Sequence, residues 1–321
     1  MTTTMTVRKE NSAAVVAANL SDNLVADWLA FNADKAPATV KVYNKAVGYF
    51  MQWLADNGIV NPTRRDVIKY RECLCSSKKI TTARLYTIVV KTFSKWLASE
   101  GKYVDFAAGV KTPSLDEAGE THSREPLTLD EAKSVLNSFK GNDVKTLRDR
   151  LILRLMLNCG LRSIEIIRLD ANDIERRHGK IFLKVWGKGR KGKTARVEVS
   201  KTVYEMILDY LNARGSKRQA GEPLFVSTSR RNFGQRIQTQ TVSRLAKKTF
   251  RNVGIDSESV VCHSCRHFAI TQLLLSGADL EAARQFARHK SCETTTTYRH
   301  DITEQNNPAV GILSRLLDNA A

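Results

Sequence analysis

The sequence predicts a mostly helical chain with a small antiparallel sheet, an α+β fold in two parts. A four-helix N-terminal domain comes first and a larger domain follows. Three observations carry this. Apolar residues recur at helical spacing in four blocks between residues 21 and 110. A polar segment with two prolines and no apolar period, residues 111–126, reads as an exposed linker. Two strand-like runs, 180–186 with I-F-L-K-V-W and 194–199 with T-A-R-V-E-V, flank the glycine-rich loop G-K-G-R-K-G-K inside an otherwise helical remainder.

Taken in order, residues 1–20 read as a loose tail. Ser21 or Asp22 can cap the first helix, which carries Leu24, Val25, Trp28 and Leu29 at helical spacing. Pro37 and Thr39 open the second, with Val42, Tyr43, Val47, Phe50, Trp53 and Leu54 on one face and Gly58 past its end. Pro62 and Thr63 open the third, which runs to about Cys75. Thr81 or Thr82 opens the fourth, with Leu85, Val89, Phe93, Trp96 and Leu97 inward and Gly101 as its stop. The aromatic residues here read as core. Arg64, Arg65, Lys69, Lys78, Lys79, Arg84, Lys91 and Lys95 are left for outer faces, where they could meet a phosphate backbone. In the second domain, Thr128 and Glu131 form a capping box. A helix over 146–158 leads into a turn at Gly160, and a basic helix spans 240–252.

Charge narrows the partner. Among 321 residues there are 51 Lys and Arg against 33 Asp and Glu, a net +18. Residues 126–321 hold 34 of the cations and 20 of the acids, so +14 of the surplus lies there. Such a field favours a polyanion, above all nucleic acid. On the basic helix, Arg244, Lys247, Lys248 and Arg251 form one stripe while Val242, Leu245 and Phe250 lean inward. No segment reaches the roughly 18–20 consecutive apolar residues of a membrane span, and the Thr-rich N-terminus does not resemble a secretory signal. Cys73, Cys75, Cys159, Cys262, Cys265 and Cys292 fit reduced thiols, so the expected compartment is the cytoplasm, with association to the nucleoid.

The polar groups that could do chemistry gather in four places. Arg162 follows the Gly160 turn and opens a helix whose N-terminal N–H groups would share a phosphate oxygen with it; Glu165 could brace it. Lys188 lies between Gly187 and Gly189 in the hairpin loop, with Arg190, Lys191 and Lys193 nearby. A lysine there could deliver a proton to a leaving oxygen, and the other cations suit phosphate contact. His263 and Arg266 stand three apart, on one helical face, whereas His267 is expected to point elsewhere. His289 precedes Tyr298, whose phenol becomes a nucleophile when cations stabilise its oxyanion and a base takes its proton. Two arginines, a lysine and two histidines around one tyrosine suit breaking a phosphodiester without a metal. Cys262, His263, Cys265, His289 and Cys292 are also zinc-ligand types, but a cation beside Arg266 would be poorly placed, and the cysteines read as packing residues. The sequence has neither the acidic cluster of a two-metal nuclease nor a P-loop.

Together, C-G-L-R-S-I-E-I, V-W-G-K-G-R-K-G-K, H-S-C-R-H-F-A-I-T-Q-L-L-L-S-G and A-R-H-K-S-C-E-T-T-T-T-Y-R-H resemble, in order and spacing across residues 126–300, the motif boxes of the tyrosine recombinase (phage-type integrase) family. The resemblance implies a core-binding, DNA-clamping domain over 21–110 and a catalytic domain over 127–305. It also implies that the apolar segment within 306–321 is a helix that packs on a neighbouring protomer. Tyr298 would attack the scissile phosphate and form a 3′-phosphotyrosyl link. Arg162 and Arg266 would stabilise the phosphate, Lys188 would protonate the leaving oxygen, His263 and His289 would move protons, and Glu165 would support them. Arg84, Lys91, Arg190, Lys191, Arg244, Lys247, Lys248 and Arg251 are expected at DNA. The implied partners are duplex DNA with inverted-repeat core sites, three further copies of the chain in a tetramer on two sites, and accessory DNA-bending proteins. No cofactor is implied. The reaction would integrate, excise or resolve a mobile element. A type IB topoisomerase-like relaxing enzyme and a catalytically idle DNA-binding regulator are the alternatives. The sequence departs from the family pattern at Cys159 and Cys265, where threonine and leucine are usual, and at Ala287-Arg288, where Leu-Gly is usual. None of the four is expected to touch a catalytic side chain.

Overall fold

The computed structural model describes residues 20, 22–114, 125–187, 192–289, 291 and 295–296. The chain divides into two compact units, Met1–Thr121 and His122–Ala321. The predicted class holds: described helices dominate, with one small antiparallel sheet. No helix among the described residues is long and apolar enough to cross a membrane.

In the first unit the four helices are α1 (Asp22–Phe31), α2 (Pro37–Asp56), α3 (Arg64–Ser77) and α4 (Ile80–Ser99). Pro37 sits in the first turn of α2, where its missing N–H costs nothing. Asp66 in α3 accepts from the Thr63 backbone N–H at 2.9 Å and from its hydroxyl at 2.7 Å, fixing the start of that helix. α4 begins at Ile80, one or two residues before the expected threonines. Trp28, Val47, Phe50, Val67, Val89, Phe93 and Leu97 form the heart of the core, and Trp28 stacks on Tyr43 at 5.0 Å. Each such side chain contributes about 1.5–3 kcal/mol by leaving water. Leu85 does not join them; it is 41 % exposed, because the inward stripe of α4 passes through Ala83, Tyr86 and Val90 instead.

After α4 the chain folds back over its own unit. Basic side chains of α3 and α4 donate to its carbonyls. Arg64 donates to the Gly109 carbonyl at 3.2 Å, Arg71 to Lys111 at 3.2 Å, Arg84 to Pro113 at 2.6 Å, and Lys91 to Val110. Pro113 is buried. The segment read as an exposed linker from residue 111 therefore starts as part of the helical unit. Arg84 and Lys91, expected at DNA, are half-buried and spend donors on this return strand, whereas Arg65, Lys69, Lys79 and Lys95 stay exposed.

The second unit is built around α6 (Val144–Cys159), which is buried on nearly every face. Before it stands α5 (Leu129–Asn137), started by the Thr128–Glu131 capping box, with Thr128 N–H on the Glu131 carboxylate at 2.7 Å. After it come the short α7 (Ser163–Ile167), strands β1 (Ile174–Arg177), β2 (Lys180–Val185) and β3 (Ala195–Val199), then α8 (Lys201–Ala213), α9 (Thr239–Asn252), α10 (Ser264–Leu275) and α11 (Leu280–Ala287). The sheet order is β1-β2-β3, all antiparallel, with Ile174 opposite Leu183 and Val185 opposite Ala195. β1 was not expected, since I-E-R-R lacks an apolar alternation. It forms because His178 and Gly179, with φ of 47° and 75°, make a two-residue turn whose twist suits a hairpin and sets Arg177 against Lys180. Asp170 and Asp173 hold Lys193 at the base of the β2–β3 hairpin, with Arg236 on Asp170 at 2.5 Å.

α6 ends at Gly160, whose φ is +56°. A Cβ added there would stand 2.9 Å from the ring of Phe286 in α11. Two independent conditions thus demand glycine. Gly160→Ala should destabilise the protein by about 2–4 kcal/mol, combining left-handed strain with overpacking, and thermal melting would show it. An unchanged melting temperature would mean that this turn is not so constrained.

Candidate active site at the Gly160 turn

The Gly160 turn brings the chain from the buried α6 to Arg162. Leu161 is fully buried and anchors the step. Arg162 has an extended backbone, and its N–H donates to the Glu165 carboxylate at 2.9 Å; its guanidinium reaches the other carboxylate oxygen at 3.1 Å. α7 has only five residues, so its dipole is small. The carboxylate of Glu165, rather than free helix N–H groups, organises Arg162.

Arg266 projects from the first turn of α10 and is 1 % exposed. It donates to the Gly160 carbonyl at 2.5 Å and to the Ala287 carbonyl at the end of α11. One guanidinium thereby joins three segments distant in sequence. His263 precedes α10, and its ring meets that of His267 edge-on at 4.9 Å. His267 belongs to the cluster after all, one helical turn from His263, a spacing that would have revealed it. His289 follows α11 and is buried, with Nδ1 2.9 Å from the hydroxyl of the fully buried Thr295. Thr295 carried no sequence signal beyond its place in a polar run.

The largest departure from expectation is Arg288. It caps α11 with φ of +54°, a left-handed conformation that suits glycine. Its side chain turns into the cluster. It donates to Glu165 at 2.9 Å, to the Gly160 carbonyl at 3.1 Å and to the Phe286 carbonyl at 2.9 Å. Arg288 and Ala287 therefore do touch the candidate catalytic groups, Arg288 through Glu165 and Ala287 through its carbonyl on Arg266. Cys159 and Cys265 are buried; desolvation pushes the Cys159 thiol up to about 11, against the pull of Arg288 and Arg154, and pushes Cys265 up as well. Both act as packing residues.

The electrostatics follow from this crowding. Burial pushes the Glu165 carboxyl up, but Arg288 and then Arg162 outweigh it and leave it below the usual range. His289 is pushed down to about 4, first by burial and then by Arg266, Arg162, Arg288 and His267. At neutral pH its imidazole is uncharged among guanidinium groups. A cavity of about 390 Å³ opens beside this cluster, lined by Ser163, Cys262 and His263 and, from α9, by Ser243 and Lys247. Arg244, Lys247, Lys248 and Arg251 are all exposed along α9, with Val242 and Phe250 buried beneath them. Lys188, Arg190, Lys191 and Tyr298 lie outside the described residues, as do Cys292 and residues 306–321. Among the described residues, no three His, Cys, Asp or Glu side chains gather to hold a metal ion. Lys193, by contrast, is committed to Asp170 and Asp173.

Comparison with known proteins supplies the context for this arrangement. Residues 125–305 match the profile of the phage integrase family. Tyrosine recombinase XerC of Corynebacterium glutamicum is 31 % identical over 228 residues, 70 % of this chain and 68 % of that protein. Tyrosine recombinase XerA of Pyrococcus horikoshii is 28 % identical over 276 residues, covering 86 % and 87 %. In fold, the chain resembles the XerH site-specific recombinase bound to palindromic difH substrate in a post-cleavage complex, with TM-score 0.74, 16 % identity and coverage of 92 % and 85 %. A lambda integrase tetramer bound to a Holliday junction gives TM-score 0.65 at 16 % identity, covering 86 % and 76 %.

The depressed His289 has a consequence for stability. Unfolding returns its imidazole to the ordinary value of 6.5. Between about pH 6.5 and 4 the unfolded chain then binds more protons than the folded one, so stability falls as pH drops through this window. His289→Gln removes the effect. Its stability loss from pH 7 to pH 5, measured by denaturant titration, should be smaller than that of the unsubstituted protein by about 1–2 kcal/mol. Parallel losses would place the imidazole in a wetter setting than the geometry shows.

Proposed function

Since the chain belongs to the phage integrase family of tyrosine recombinases, we propose that it cuts and rejoins DNA at specific sites through a 3′-phosphotyrosine formed on Tyr298. The observation that carries this reading is the convergence of Arg162, Arg266 and His289 on the two sides of one turn, braced by Glu165. A scissile phosphate placed there meets preorganised positive charge. The Tyr298 oxygen attacks phosphorus and loses its proton; the bond to the 5′-oxygen breaks, and Lys188 protonates that oxygen. Arg162 and Arg266 stabilise the extra negative charge of the transition state. A 5′-hydroxyl from a second strand then attacks the phosphotyrosine and frees the phenol. One phosphodiester is exchanged for another, so the exchange needs no energy source.

His289 changes character when the phosphate arrives. Burial and then the guanidinium charges hold its proton affinity down. A phosphate offsets those charges and raises that affinity, so the imidazole becomes a better proton acceptor only once substrate is seated. His263, with His267 against its ring, lies on the cavity wall and suits orientation of the phosphate.

Support for a tetramer on two DNA sites comes from an apolar groove of about 350 Å³ between α5, α6 and α10, lined by Leu129, Leu136, Leu157, Phe268 and Leu273. It suits the apolar residues of 308–318 from a neighbouring copy. Such an assembly would integrate, excise or resolve a DNA element.

Two experiments test the proposal. Selecting genomic fragments that the protein retains would identify its site, and a nicked version of that duplex traps covalent intermediates. The unsubstituted protein should yield a protein–DNA adduct and Tyr298→Phe should yield none; an adduct that survives the loss of the hydroxyl refutes the mechanism. Replacing both Lys247 and Lys248 by Ala should weaken binding and lower the slope of log K against log salt by about 0.9 per lost phosphate contact. An unchanged slope removes α9 from the interface.

A further inference from the structure

Arg288 stands in a backbone conformation that a glycine would occupy more easily, yet its side chain is 10 % exposed and both terminal nitrogens of its guanidinium donate into the cluster. It faces Glu165, whose side chain is 0 % exposed. Glu165 thus lies between two guanidinium groups. Its Oε1 meets Arg162 at 3.1 Å, and its Oε2 is shared by the Arg162 N–H and Arg288, both at 2.9 Å. Arg288 also shares the Gly160 carbonyl with Arg266. The left-handed turn is what allows this reach: it ends α11 and sends residue 288 back toward the Gly160 turn while the chain continues into His289.

We propose that Arg288 is a positioning residue for strand cleavage: it clamps Glu165 and the Gly160 carbonyl, and so fixes the direction in which Glu165 presents Arg162 to the scissile phosphate. This rests on the recombinase reading of the site. A carboxylate with only Arg162 as partner would draw that guanidinium inward, away from substrate. With Arg288 satisfying Oε2, Glu165 holds Arg162 by one oxygen and its backbone N–H, and a single guanidinium orientation results. The same charge acts on His289, which is faced by Arg162 at the start of α7, by Arg266 and His267 from α10, and by Arg288 from the end of α11; Arg284 of α11, paired with Glu281, donates to its carbonyl at 2.9 Å.

The test uses the full-length protein with Arg288→Gly, the residue its backbone favours, and Arg288→Lys. Two readouts are needed. On the nicked duplex carrying the selected site, Arg288→Gly should slow single-turnover adduct formation by roughly 10- to 100-fold, the scale of a misplaced reacting group, with DNA affinity unchanged. Arg288→Lys should recover part of the rate. In a Glu165→Gln background Arg288→Gly should cost much less, only the part that reaches His289 directly, because the residue acts mainly through that carboxylate. Separately, and without DNA, NMR titration of isotope-labelled histidines should show the His289 midpoint moving up in Arg288→Gly and staying low in Arg288→Lys. Equal rates for the unsubstituted and Gly proteins, or equal losses in both Glu165 backgrounds, overturn the proposal. Should the unsubstituted protein give no adduct, the recombinase reading is what fails, and the titration still decides whether Arg288 governs the cluster: a fixed midpoint rejects it.

Discussion

A guanidinium buried between two backbone carbonyls sets the terms for everything around it. Arg266 is withdrawn from water and ties the Gly160 turn to the end of α11. Burying such a charge costs several kcal/mol unless its hydrogen bonds are well made. The carbonyls on which it depends are therefore held to their places as firmly as it is. Gly160 must keep its left-handed turn, Phe286 must pack against the bare Cα, and α6 must end where it does. Arg162, Glu165, Arg288 and His289 inherit their positions from this knot, being carried on the segments it joins.

Like charges collect around the knot, and among the described residues the buried Glu165 carboxylate faces them. Glu165 stays ionised despite its burial because Arg288 and Arg162 flank it. Even so, burial and then the surrounding positive groups keep the His289 imidazole uncharged at neutral pH. The folded state thus tolerates a local repulsion that a merely structural cluster would avoid. Under the proposed mechanism, an incoming phosphate would relieve it.

Much of this was legible in the sequence, for physical reasons. Helix ends announced themselves through Thr128 with Glu131, Pro37 and Gly160, since each solves a local backbone problem that no distant residue alters. The motif boxes pointed to Arg162, Glu165, Arg266 and His289, which the fold does bring together, while Lys188 and Tyr298 lie outside the described residues. What escaped depends on contacts across the fold. β1 is four residues of mixed polarity whose strand state is imposed by pairing with β2 and by the turn at His178-Gly179. The inward turn of Arg288 follows from the αL end of α11 and from Glu165, 123 positions earlier in the chain. Arg84 and Lys91 looked like surface cations because nothing local says that the chain will return over them and need donors.

The positive charge gathered in the cluster links folding to anion binding. Any anion that lodges there binds the native chain and not the unfolded one, and adds RT ln(1 + [L]/Kd) to native stability. Under the proposed mechanism, a DNA phosphate seated there would serve as a counter-charge for the protein interior as well as a substrate.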